Sequence, residues 1–165
     1  MTYKATLDIT AKIITALVTI LFISIIYQLV TSMVIAPYQF KSIVIKSLVS
    51  IGLFIIYTLC WAYAPKSYTI TNSHFTINRN IDKVTFTKQS IENITLLNTN
   101  DLNGTIRTFG VGGLFGYFGA FDIPKIGSVT FYTTKKNPIV LIHLKNNEKI
   151  AISPDNLKLI DDLSC

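Results

Sequence analysis

Few side chains in this sequence could do covalent or metal chemistry, and they are scattered. His74 and His143 both fall at alternating, strand-like positions. A catalytic or metal-bound histidine needs partners, and no pattern of partners accompanies either one. No pair of Asp or Glu residues stands out, and no nucleophile sits in a recognisable elbow. Cys60 lies in a continuous apolar run and Cys165 is the last residue, which gives neither a disulfide framework nor metal-ligand spacing. The expectation is a protein that is not an enzyme, with no metal site and no cofactor.

The stretch that stands apart is Arg107-Thr-Phe-Gly-Val-Gly-Gly-Leu-Phe-Gly-Tyr-Phe-Gly-Ala-Phe121. Five of the eight glycines fall within ten residues here, interleaved with Phe109, Phe115, Tyr117, Phe118 and Phe121. Gly110-Val-Gly112 begins like a dinucleotide fingerprint. No Gly-Lys-Ser/Thr follows it, no βαβ unit surrounds it, and no acidic residue follows a second strand, so nucleotide binding is not expected. Two readings remain open. The glycines allow positive φ and close backbone approach while the aromatics pack; or the stretch is an exposed aromatic loop that dips into a bilayer or grips a partner. On the second reading the binding residues are Arg107, Phe109, Gly110, Gly113, Phe115, Gly116 and Tyr117. Arg107 is suited to a lipid phosphate, or to pairing with an acid such as Asp101 or Asp122.

What positions these residues is a chain of two unlike parts. Half of the 165 residues are hydrophobic, 15% are charged against about 25% in an average soluble domain, and the mean hydropathy is +0.46. The apolar excess sits in residues 1–64, whose only charges are Lys4, Asp8, Lys12, Lys41 and Lys46. Residues 13–35 form one uncharged run. A second spans about 43–64 if Lys46 snorkels, with Trp61 and Tyr63 near its end as an interfacial belt. Each is long enough, as a helix, to cross a hydrocarbon core of about 30 Å. The first is too long, and its end too poor a cleavage context, for a secretory signal. The short linker Ala36 to Lys46 makes the spans an antiparallel transmembrane hairpin, so both chain ends share one side. Lys4, Lys12, Lys66, Arg79 and Lys83 lie on that side, against Lys41 and Lys46 in the loop. The expected place is the cell membrane, multi-pass, with the C-terminal domain cytoplasmic.

Residues 65–165 carry 11 Lys and Arg against 8 Asp and Glu. The net charge of +6 comes in good part from lysines flanking the spans, which argues against nucleic acid. From Tyr68 the pattern alternates: Tyr68–Ile70, Phe75–Ile77, Val84–Phe86, Ile91–Leu97, Ser128–Thr133, Ile139–Leu144 and Lys149–Ile152 read as strands. Asn146-Asn147 suits a tight hairpin turn. Ser153-Pro154-Asp155 reads as a helix start, with Leu157, Leu159, Ile160 and Leu163 as its apolar face. The expectation is about seven short antiparallel strands, as a sandwich or partly open barrel closed by a C-terminal helix.

That domain, hung from a transmembrane hairpin, resembles the bacterial pleckstrin-homology-like (PH-like) proteins over roughly Tyr68 to Leu163. The Arg107–Phe121 stretch and the run from Ile126-Gly127 through Phe131-Tyr132 to Ile152-Ser-Pro154 carry the resemblance. It implies a fold and a membrane-anchored binding or scaffolding module, engaging another protein or itself as a homo-oligomer. An inositol-lipid site does not carry over, because the first strand–strand loop, Thr71-Asn72-Ser73, has no positive charge. The alternatives are a sensor of anionic lipid, using Arg107, Lys125 and the aromatic loop, and an accessory subunit of a transporter or membrane enzyme.

Overall fold

The computed structural model describes residues 1–35 and 40–164, except the side chains of residues 40 and 164. Two long helices, α1 (Ile9–Ile35) and α2 (Phe40–Ala62), carry exposed apolar side chains such as Leu17, Leu21, Leu48 and Phe54. Both are long and apolar enough to cross a membrane. They run antiparallel: the Thr19 hydroxyl is 2.8 Å from that of Tyr57, and Lys46 Nζ donates to Ser32 Oγ at 3.3 Å. The second helix starts earlier than the second span was expected to. Lys41 and Lys46, expected in the linker, lie in its first two turns, because their long stems follow the helix surface while the ammonium reaches out. Residues 36–39 of that linker, and the Cys165 tail thiol, lie outside the described residues.

The β part holds two sheets. β1 (Thr2–Lys4), β2 (Pro65–Ile70), β3 (His74–Arg79) and β4 (Lys83–Thr87) form a four-stranded antiparallel sheet in that order. The other six are β5 (Ile91–Leu97), β6 (Ile106–Gly112), β7 (Tyr117–Ile123), β8 (Gly127–Thr133), β9 (Ile139–Leu144) and β10 (Lys149–Ile152), ordered β5-β9-β10-β8-β7-β6. The sheets do not close into a barrel. One core lies between them: Tyr68, Phe75 and Ile77 meet Val140, Ile142, Ile150 and Ile152, and Leu159 and Leu163 of α3 (Lys158–Ser164) cap it. A PH-like sandwich with a C-terminal helix is thus what the chain forms. The six-stranded sheet buries its other face too. Residues of opposite parity, such as Ile139 and Leu141, join Tyr117, Phe121, Val129 and Phe131, with Ala11 of α1 and partly buried Leu7 packed on them. Burial on both faces is why Ile139–Leu144 reads as an unbroken apolar run.

Several details differ from the expectation. Ten strands are present among the described residues, not about seven, and β10 runs parallel to β8 because it inserts between β8 and β9. The added strands are β1, β6 and β7. Residues 2–4, upstream of the first apolar helix, pair with Ser67–Thr69. The Gly/aromatic stretch is a β-hairpin, not a loop. The C-terminal helix starts at Lys158, not at Ser153-Pro154. Tertiary partners outbid the local cap: buried Ser153 Oγ accepts from Thr134 N at 2.8 Å and Lys135 N at 3.2 Å. Its own N–H donates to Tyr68 Oη at 3.1 Å, while Tyr68 Oη–H donates to Tyr132 O at 2.6 Å.

Candidate functional site: the Gly/aromatic hairpin and its docking on the helices

The two strands of the hairpin touch through glycine. Gly110 and Gly119 are directly opposed, both at positive φ (+115° and +118°). A Cβ on Gly119 would lie 2.4 Å from Phe109 O and 2.7 Å from Gly110 Cα. The close approach requires glycine on both strands, which is the packing reading of this stretch.

The turn of the hairpin faces the helices. Gly113 N donates to Gly116 O at 2.8 Å, closing it. Gly113, at φ +126°, abuts Ile14 of α1 so closely that a Cβ there would come within 2.5 Å of Ile14 Cδ1. Phe115 holds φ +58°, its N–H donates to Thr15 Oγ1 at 3.0 Å, and its ring meets Tyr57 of α2 edge-on at 5.1 Å. Tyr57 in turn contacts Phe22, at 5.0 Å between ring centroids. Phe115 is therefore a wedge between the hairpin turn and both helices. Two residues on, at the start of β7, Tyr117 is buried and donates its hydroxyl to the Asp8 carboxylate at 3.2 and 3.3 Å.

Asp8 is the residue that sequence reading passed over. It caps α1, accepting Ala11 N–H at 2.7 Å, and it also accepts Lys136 N–H at 3.2 Å. The signal was present: an Asp immediately before Ile9-Thr10-Ala11 at the head of an apolar run is a helix N-cap. A second tie lies at the other helix. Asn80 Nδ2 donates to Trp61 O at 2.8 Å and Ile81 N to Ala62 O at 3.1 Å, so the β3–β4 turn satisfies two of the carbonyls left open at the end of α2. Arg79 pairs with Asp82 through two contacts of 2.5 Å and stacks 5.1 Å from the Tyr63 ring centroid.

Arg107 and Phe109 point elsewhere. β6 is the edge strand of its sheet, and Phe109 and Ile106 are 80% and 66% exposed. Arg107 pairs with neither Asp101 nor Asp122; among the described residues it has no ion pair. Its side chain lies over Gly112, where a Cβ would come within 2.8 Å of Nη1. The seven candidate residues therefore divide. Gly113, Phe115 and Tyr117 face the helices, Gly116 closes the turn and packs against the end of β8 at Thr133 O, Gly110 joins the strands, and Arg107 and Phe109 line an open edge. Both histidines stand apart from this region: His74 is exposed and bonded to Ser73, and His143 is half-buried in β9. No group of metal-ligating residues occurs among the described residues.

Burial, helped by the neighbouring Asp8 charge, pushes the Tyr117 hydroxyl up to about 12. Burial raises Tyr68 as well. A raised tyrosine favours the folded state below its unfolded value near 10, and that contribution is lost as pH climbs toward the folded value. The melting temperature of the full chain in detergent should therefore fall between about pH 10 and 12. The fall should be shallower in Tyr117→Phe. A flat profile to pH 12 would contradict the burial of these hydroxyls.

No curated protein and no solved structure matches the chain. A family model described as Bacterial PH domain matches residues 66–163, from the start of β2 to the end of α3. That match covers more than half of the chain and contains both sheets except β1, so the chain belongs to the bacterial PH domain family.

Proposed function

We propose that this protein is a membrane-anchored, non-enzymatic binding module. In this reading α1 and α2 cross the cell membrane as a hairpin, with both chain ends on the cytoplasmic side. The PH-like domain then captures an extended segment of another protein along β6. The observation that carries the reading is the open edge of β6: among the described residues no strand pairs with its outward side, and Ile106 and Phe109 stand exposed beside it. An edge of this kind recruits a partner strand through main-chain hydrogen bonds, with side-chain contacts setting the choice. The partner chemistry follows from the edge: an apolar residue to cover Phe109 and an acidic one to meet Arg107, which lacks an acidic partner among the described residues. The docked turn supports the same reading, because a recognition strand works best when its own hairpin is held rigid. The ties at Asp8, Phe115 and Ile81 fix the domain against the helices. Ile81, 68% exposed next to Trp61 and Tyr63, then sits at the level of the lipid headgroups.

A photo-crosslinking amino acid at position 106, placed in the full chain in its native membrane, tests this. The expected result is a discrete protein adduct that falls roughly tenfold or more in Arg107→Glu and in Phe109→Asp. The same probe on β4, the open edge of the other sheet, should not form it. An adduct with a second copy would identify self-association as the strand addition. Adducts that ignore both substitutions, or that form equally from β4, would overturn the reading.

A further inference from the structure

The second face of the six-stranded sheet is incompletely covered. Leu7 and Ala11 pack on one part of it and Leu102 on another. Beside Leu102 lies a cavity of about 360 Å³, lined by no residue of β6 itself and within the size range of small-molecule sites. Its floor is apolar: Phe121 and Phe131 stack with ring centroids 4.3 Å apart, flanked by Tyr117 and Ile139. The buried Thr133 hydroxyl in the wall already donates to Tyr117 O at 3.0 Å, and no buried side-chain polar atom among the described residues lacks a partner. Nothing inside therefore calls for a polar ligand body.

The mouth is different. Lys135 and Lys136 both line it, and no acidic side chain does. Lys135 is committed to Asp155 at 2.5 Å. The Lys136 ammonium sits 5.6 Å from the Tyr117 ring centroid and has no acidic partner among the described residues. Asn137 Nδ2 donates to Thr99 Oγ1 at 3.2 Å, which ties the β8–β9 loop to the 3₁₀ turn Thr99–Leu102 and fixes the two walls relative to each other. Lys136 N–H also holds Asp8, so the mouth opens at the first turn of α1.

We infer that this cavity binds an amphipathic anion, an apolar chain buried against Phe121 and Phe131 with one carboxylate or phosphate head at Lys136. An uncharged chain would leave the Lys136 ammonium with only the Tyr117 ring and water, and a polar anion would leave the aromatic floor uncovered. The occupant reaches the site from the adjacent leaflet or from water, and both sources present the same chemistry.

Native mass spectrometry of the full chain, released from nanodiscs of zwitterionic lipid, tests the site with decanoate as the probe and decanol as its uncharged counterpart. A one-to-one decanoate adduct is expected. Decanol, and decanoate on Lys136→Glu, should each bind roughly tenfold or more weakly, as loss of a charge-assisted contact implies. Leu102→Trp, which fills the cavity from the half-buried turn residue, should abolish the adduct while the β domain still melts in one cooperative transition. An anionic lipid that co-purifies from cell membranes and is lost in Leu102→Trp would mark the bilayer as the source; its absence beside a decanoate adduct would mark a soluble amphiphile. No adduct, or one indifferent to both substitutions, overturns the inference. The β6 crosslink is read at another face and does not depend on this result.

Discussion

A chain lacking residues 1–7, with Asp8 and α1 intact, is expected to lose its folded β domain or to melt roughly 10 °C or more below the full chain. These residues look like a leader to the first apolar helix, yet they are stitched into the domain. Thr2–Lys4 supply an edge strand to β2. Tyr3 donates its hydroxyl to Asp162 of α3. Ala5 is buried in the core between the sheets, and Leu7 packs on the opposite face of the six-stranded sheet. Asp155 grips the arm from the other side, accepting Thr6 N–H at 3.1 Å, Thr6 Oγ1–H at 2.9 Å and Lys135 Nζ at 2.5 Å. Burial works against the charged Asp155, but the bonds from Lys135 and Thr6 prevail and hold its carboxyl below the usual range. Each main-chain bond contributes about 1 kcal/mol net. Full burial of a large apolar side chain contributes about 1.5–3 kcal/mol, and the partly buried Tyr3 and Leu7 each supply a fraction of that. Losing the arm is then a loss on the order of 5 kcal/mol, comparable with the whole stability of a small domain. Thermal melting and protease sensitivity of the truncated chain, with its membrane fraction measured alongside, give the answer. A truncated domain as stable as the full one would show that the arm merely rests on the surface.

The same arm shows where sequence reading stops. The helices were legible because an uncharged run of twenty residues has one common structural use. β2 to β5 and β8 were legible because alternation survives in them, and β9 because a short apolar run between Pro138 and Asn146-Asn147 fits a strand covered on both faces, with β10 following the Asn-Asn turn. β1 was not: Thr2–Lys4 has no pattern of its own, and its strand exists only because Ser67–Thr69 lies beside it. β6 and β7 were hidden for a different reason. Glycine supplies no side chain from which to read alternation, and five of them in ten residues erase the signal. The composition correctly marked this stretch as special. Only the fold divides it into Gly113, Phe115 and Tyr117 turned toward the helices, Gly116 against the end of β8, and Arg107 and Phe109 at the open edge. Ser153 failed in the opposite direction. Its local cap signal was sound, but Thr134, Lys135 and Tyr68 offered it partners that no local pattern reveals.

Gly119→Val should be among the most damaging single substitutions in the β domain, lowering stability by about 3 kcal/mol or more. The Cβ would meet Phe109 O at 2.4 Å and Gly110 Cα at 2.7 Å, and both are backbone atoms that no rotamer change can move. The φ of +118° adds strain for any L side chain, worst for a β-branched one. Relief requires β6 to part from β7, and β6 has no other neighbour. Once the pair opens, the turn that carries Phe115 loses its support, and with it the contacts to Thr15 and Tyr57. Hydrogen exchange of the full chain in detergent should show the amides of β6 and its turn, residues 106–116, deprotected, while those of β7 bonded to β8 and those of β2, β3 and β9 stay slow. Gly52→Ala in α2, where nothing lies within 4 Å, is the matched control and should change stability by no more than about 1 kcal/mol. If Gly119→Val instead leaves the hairpin protected, the close strand approach is not what the glycines are for. If it deprotects only β6 and its turn, the β6 crosslink should disappear in the same variant, because an edge strand without its own neighbour cannot present a fixed row of backbone groups to a partner.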